Sequence, residues 1–148
     1  MNFYHLTKSP LEKALPKLME KVVQHALRAV ILAKDEVRVE QLNQQLWTYT
    51  TKFFLPHGSI KDGFIERQPI FLTHHSENPN NASVIAMIDD SEPESFDKFD
   101  KAFYLFDGQN PHAVSAARTK WSAYKAKGFA LKYWQQTDKG AWQENKAA

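Results

Sequence analysis

The chain has 148 residues, 43% of them apolar, with 19 basic against 17 acidic side chains and a formal charge of +2. That length gives one domain, 1–148, with a core of its own, and the near balance of charge excludes a protein that binds polyanions over its whole surface. Cysteine is absent, which removes disulfides, thiolate zinc sites and cysteine nucleophiles together and fits a reducing compartment.

The opening MNFYHLTKSP lacks the charged-then-apolar order of a secretory leader, and no apolar run approaches the roughly 18 residues of a membrane span. A cytoplasmic protein without membrane contact is expected. In chain order, NFYHL (2–6) reads as a short aromatic strand. SPLEKALPKLMEKVVQHAL (9–27) follows with Leu11, Leu15, Leu18 and Val22 at helical spacing behind a Ser-Pro start. Pro16 would cost that helix an i to i−4 bond, which predicts either a kink or a later start. RAVILA (28–33) is the near-continuous apolar run of a buried central strand. In KDEVRVEQLNQQLWTYT (34–50), Val39, Leu42 and Leu46 share a helical face, and Asp35 and Glu36 sit where the macrodipole favours negative charge.

Turn-like FFLPHGS (53–59) and KDG (61–63) lead to RQPIFLTH (67–74) and SVIAMID (83–89), two strands separated by the Asn, Pro and Ser of HSENPNNA (75–82). Acidic DDSEPESFDKFD (89–100) is expected to be a solvated loop with a short helical turn, ahead of the strand KAFYLFD (101–107). GQNPHAVSAARTKWSAYKAKG (108–128) carries a full set of helix boundaries: Asn110 as N-cap, Pro111 at the first helical position and Gly128 as the stop. FALKYWQQ (129–136) closes as a strand, and residues 137–148 show no clear pattern and are expected to fray. The alternation predicts a single three-layer α/β/α domain, Rossmann-like, with a mixed or mostly parallel sheet.

Such a fold suggests a nucleotide enzyme, but the five glycines are scattered and neither G-x-G-x-x-G nor G-x-x-x-x-G-K-[ST] occurs to bring backbone against phosphates. G-x-S-x-G is also missing. The histidines show no ligand spacing, with His74 and His75 adjacent and the others alone. Asp89, Asp90, Glu92 and Glu94 lack the order of a calcium loop. His57, between Pro56 and Gly58, is a candidate acid or base without a visible orienting partner. No cofactor or metal is expected.

The densest chemistry lies in RTKWSAYKAKGFALKYW (118–134), which interleaves five basic with five aromatic side chains and holds no acid. On a helix, Val114, Ala117, Trp121 and Tyr124 form one stripe that packs on the sheet. Arg118 and Lys125 lie on one flank with Ser122 beyond them, and Lys120 and Lys127 lie on the other. Two readings stand open. One is an amphipathic helix with a solvated basic rim. The other is a small pocket at the edge of Trp121 that buries an aromatic group and pairs a carboxylate, suited to an acidic peptide with a C-terminal aromatic residue. Single-stranded nucleic acid is a competing ligand, since basic grooves with rings bind it too. An α/β enzyme without standard motifs is a third possibility. In LWTYTTKFFLPHG (46–58), Trp47, Phe54 and Leu55 belong to an aromatic crowd that divides between core and interface anchors.

The order FYHL, then LNQQLWTY with FFLPHG, then ARTKWSAYKAKGF resembles the chi subunit of bacterial DNA polymerase III over nearly the whole chain. The resemblance implies a Rossmann-like domain without a nucleotide site and a non-enzymatic replisome accessory role. It implies two partnerships: the psi subunit, which joins chi to the clamp loader, and the acidic, aromatic-ended C-terminal tail of single-stranded DNA-binding protein. DNA would be met only indirectly. By resemblance, Arg118 matches the tail-binding arginine, Trp121 replaces a family tyrosine, and Tyr124, Gly128 and Phe129 keep the local motif. Ser122 departs from a tail-binding lysine, so Lys125 or Lys120 is expected to substitute. Trp47 and Phe54, with Leu55 beside them, correspond to the other interface, used for psi and in some bacteria for a repair helicase.

Overall fold

Short aromatic and β-branched strands and three α-helices follow in the order β1 (Asn2–Leu6), α1 (Leu11–Gln24), β2 (Ala29–Leu32), α2 (Glu36–Thr48), β3 (Ile70–Thr73), β4 (Val84–Met87), β5 (Lys101–Asp107), α3 (Pro111–Ala126), β6 (Lys132–Gln136) and β7 (Trp142–Glu144) among the described residues. A computed structural model describes residues 1–48, 57–63 and 65–146. The strands form one seven-stranded sheet in the order β3-β2-β4-β5-β1-β6-β7. All neighbours are parallel except the β6–β7 pair.

Connection direction decides which face each helix covers. The chain moves from β1 to β2 and from β2 to β3 toward one edge, and from β5 to β6 toward the other. Right-handed crossovers then place α1 and α2 on one face and α3 on the opposite one. Two clusters of buried residues show this division. Leu15, Leu18, Met19, Val39, Leu42 and Leu46 pack on Tyr4, Ile31, Phe103 and Leu105. On the other face, Ala117 and Tyr124 pack on Phe3, Ile85, Met87, Tyr104 and Phe106. Phe3 and Tyr4 part company because successive strand residues point to opposite faces.

Three expectations change. Of the two outcomes expected from Pro16, the later start does not occur: Pro16 lies inside α1, which begins at Leu11, with the Pro10 carbonyl accepting from Lys13 and Ala14 at 3.0 and 3.1 Å. Pro16 is buried in the apolar stripe, so packing offsets the bond it cannot donate. Residues 137–148 hold a strand where fraying was expected: β7 returns against β6, and the turn is closed by Thr137 N to Ala141 O at 2.7 Å with Gly140 at φ +81. The acidic loop 89–100 contains turns but no helix, and it is only partly solvated. Its Asp90 accepts from the Tyr104 hydroxyl at 2.6 Å.

At the carboxyl ends of β1 and β5, Gly108 N donates to the Leu6 carbonyl at 2.7 Å. A Cβ at Gly108 would meet the His5 ring and sit 2.7 Å from that carbonyl oxygen. Gly108→Ala should therefore cost about 1–3 kcal/mol by overpacking. A urea midpoint equal to wild type would contradict this reading of the β1–β5 junction.

Candidate functional site

Helix α3 is pinned at both ends by its own sequence. The Asn110 side chain accepts from His112 N and Ala113 N at 3.0 and 3.4 Å, and Pro111 has no amide hydrogen to leave unpaired. At the far end Gly128 takes φ +88, and Phe129 N reaches back to Tyr124 O at 3.1 Å. The helix thus holds a fixed rotation over β5 and β1, with Ala117 and Tyr124 inward.

Its two basic flanks have different fates. On one, Arg118, Ser122 and Lys125 are all exposed, and neither cation forms an ion pair among the described residues. Trp121 is half-buried beside them, edge-on to Phe3 at 5.2 Å and to Tyr133 at 5.6 Å. The Arg118 charge reaches under the helix to two groups on the sheet. Burial lowers the His5 imidazole pKa and Arg118 lowers it further, against a backbone contact from Gly108 that raises it. Burial raises the Tyr133 phenol and Arg118 opposes that rise. The Tyr133 hydroxyl and His5 Nδ1 lie 2.8 Å apart. The flank therefore presents a guanidinium, an ammonium and a hydroxyl on the same side of the helix as a half-buried indole. That arrangement can hold a carboxylate beside an aromatic group.

On the other flank one of the two cations, Lys120, is already paired, while Lys127 at the helix end is exposed and forms no ion pair among the described residues. Lys120 Nζ donates to Glu92 Oε2 at 2.6 Å, and the buried Tyr124 hydroxyl donates to the same oxygen at 2.6 Å. Burial pushes the Tyr124 phenol far above its usual pKa, and the Glu92 contact pushes it the same way. For Glu92 burial acts upward, but the hydrogen bonds from Lys120 and Tyr124 and the charges of Lys120 and Lys127 outweigh it and hold the carboxyl low. A carboxyl depressed by folding adds stability above its unfolded pKa, about 4.3, and loses it as pH falls through the folded value. Acid should thus weaken the fold below about pH 4.5, and Glu92→Gln should flatten part of that decline in urea midpoints. Asp62, held low chiefly by the Ser59 amide, keeps the remainder.

The sequence-derived site residues therefore separate. Arg118, Trp121, Ser122 and Lys125 share the open flank. Lys120 and Tyr124 belong to the Glu92 cluster. His5, Tyr133 and Glu92 were not visible as members of either group, because the β1–β6 pairing and the path of the acidic loop bring them in from residues far along the chain. Trp47 is placed by its backbone in the last turn of α2, while its side chain, Phe54 and Leu55 lie outside the described residues.

His57 is buried, and its Nε2 lies 3.0 Å from the Asn43 carbonyl. His74 and His75 stack at 3.9 Å just past β3. Among the described residues no group of three or more His, Asp or Glu side chains is placed to hold a metal ion, and no helix is long and apolar enough to cross a membrane.

Comparison with known proteins adds two findings. The family described as DNA polymerase III chi subunit, HolC, matches residues 1–132. A protein of Rickettsia prowazekii (strain Madrid E) named "Probable DNA polymerase III subunit chi" is 42% identical over 87 residues, covering 59% of this chain and 53% of that protein. The match thus spans about half the length of the relative. The family match runs through all of α3 and stops at Lys132, one residue before Tyr133.

Proposed function

Because this chain belongs to the DNA polymerase III chi subunit family, we propose that it is a non-catalytic replisome adaptor whose α3 flank docks the acidic C-terminal tail of single-stranded DNA-binding protein. The observation that carries the reading is the asymmetry of α3. Among the described residues Arg118 and Lys125 are left without carboxylate partners beside the half-buried Trp121, while on the opposite flank Lys120 is neutralised by Glu92 and Lys127 stays unpaired away from the indole stripe. A tail ending in an aromatic residue supplies what the open flank lacks: carboxylates for the two cations and a ring for the indole edge.

Ser122 offers a hydroxyl where a further cation would strengthen the contact, and Lys125, on the same flank, supplies the charge in its place. Exposed pairs of this kind are individually weak and screened by salt, so one tail binds loosely and several tails on one oligomer bind by avidity. Such a link holds the polymerase assembly on coated DNA and still releases it. The second partnership, with psi of the clamp loader or with a repair helicase, would run through Trp47, Phe54 and Leu55 as apolar anchors. Contact with DNA is then indirect. The rings on α3 meet their neighbours edge-on, which leaves no parallel plates for stacked bases.

The test is titration of a labelled acidic peptide ending in Asp-Ile-Pro-Phe against wild type, Arg118→Ala and Trp121→Ala. Saturable binding should fall at least tenfold in both variants and vanish when the final Phe is removed. Absence of binding to folded wild type would sink the tail reading and leave the basic flank as a solvated rim.

A further inference from the structure

The sheet face opposite α3 holds a second aromatic site. Where the end of α1 passes the β6–β7 hairpin, a cavity of about 300 Å³ opens among Tyr4, Phe103, Trp134 and Trp142, with Lys21, His25 and Lys101 also lining it. Its walls follow from the strand register. Trp134 pairs with Glu144 and Gln136 with Trp142, so both tryptophans point to the α1 face, since strand residues two apart share a face. Tyr4 stands edge-on to Trp142 at 5.0 Å and to Phe103 at 5.4 Å.

Three observations bear on what would fill it. No carboxylate lines the cavity, and Lys21 and Lys101 are exposed without an ion pair among the described residues. Lys13 and Lys17 precede Lys21 at four-residue spacing on the exposed side of α1, extending the positive border. Trp134 carries a buried indole N–H without a hydrogen-bond partner among the described residues, and an entering oxygen that reached it would remove the penalty of an unpaired donor. Tyr4, Lys21, Lys101 and Phe103 lie within the residues of the family match, and Trp134 and Trp142 lie beyond Lys132, where it ends.

We propose that the cleft docks an acidic polypeptide segment, which inserts a large apolar side chain among the four rings and sets flanking carboxylates on Lys21 and Lys101. The volume suits one large side chain, and the border is complementary to an acidic chain. Because Tyr4 meets Trp142 and Phe103 edge to face, these rings form a socket for an inserted group and not the stacking platform that single-stranded nucleic acid uses. The site lies on the opposite face of the sheet from Arg118 and does not depend on the tail reading.

The experiment uses the full chain, labelled with 15N, and an acidic peptide with one central phenylalanine, acetylated and amidated so that it has no terminal carboxylate. Indole N–H signals are assigned by single Trp→Phe substitutions. The Trp134 and Trp142 signals should shift saturably while that of Trp121 stays in place. Lys21→Glu combined with Lys101→Glu, both at exposed positions, should weaken binding about tenfold at low salt without changing the rest of the spectrum. Arg118→Ala should leave this binding unaltered. The proposal is overturned if neither indole shifts at millimolar peptide, if only Trp121 responds, or if charge reversal has no effect. It is equally overturned if oligothymidylate moves the same two signals at lower concentration than the peptide.

Discussion

Replacing Tyr124 with alanine should lower the unfolding free energy by about 3–5 kcal/mol, the range for deleting a buried aromatic ring. Tyr124 is 1% exposed and packs edge-on against Phe3, Phe96 and Phe129, so its removal opens a cavity shared by the sheet, the acidic loop and the end of α3. Tyr124→Phe isolates the second component. It keeps the ring and removes the hydroxyl donated to Glu92, and should cost about 1–2 kcal/mol, since Glu92 retains Lys120. Urea titrations of both variants decide the matter. If Tyr124→Ala cost less than about 1 kcal/mol, the ring would not be the keystone of this face.

Arg118→Glu should weaken binding of the acidic peptide about thirtyfold, roughly 2 kcal/mol, while Lys120→Ala leaves it within about twofold. The contrast follows from the two flanks: reversal at Arg118 turns the open cation into a repulsive charge, and Lys120 is held by Glu92 at 2.6 Å away from that surface. Ser122→Lys should tighten binding several-fold and steepen its salt dependence, because it adds a third cation on the flank of Arg118 and Lys125. Titrations at low and moderate salt read all three variants together. Equal losses from Arg118→Glu and Lys120→Ala would mean that the peptide spans both flanks, and the division drawn here would be wrong.

The helix that carries these residues was legible in detail because its boundaries are local. Asn110, Pro111 and Gly128 act within one turn of their own positions, and the stripe of Ala117, Trp121 and Tyr124 repeats at the helical period. The same locality made β5 readable end to end as KAFYLFD. Hairpin β6–β7 was missed because its second strand has only three residues, too few to show alternation, and its formation depends on β6 already being in the sheet. The later helix start that Pro16 allowed is excluded for a related reason. The cost of the proline is local, but burial in the stripe of α1 comes from the rest of the fold.

By itself, then, the amino-acid sequence determined the α/β class and a mixed or mostly parallel sheet through composition and periodicity, and the order of its short motifs carried the resemblance to the family. Tertiary structure alone decided which cations remain available. Lys120 and Lys125 are equivalent as letters five residues apart, yet the acidic loop returns from residue 92 to neutralise one and leaves the other facing solvent. It also built the socket behind Trp134 and Trp142 from a strand pair and a helix distant in the chain. The physical reason is that charge pairing and cavity shape depend on distances of a few ångströms between segments, and those distances exist only once the sheet order is set.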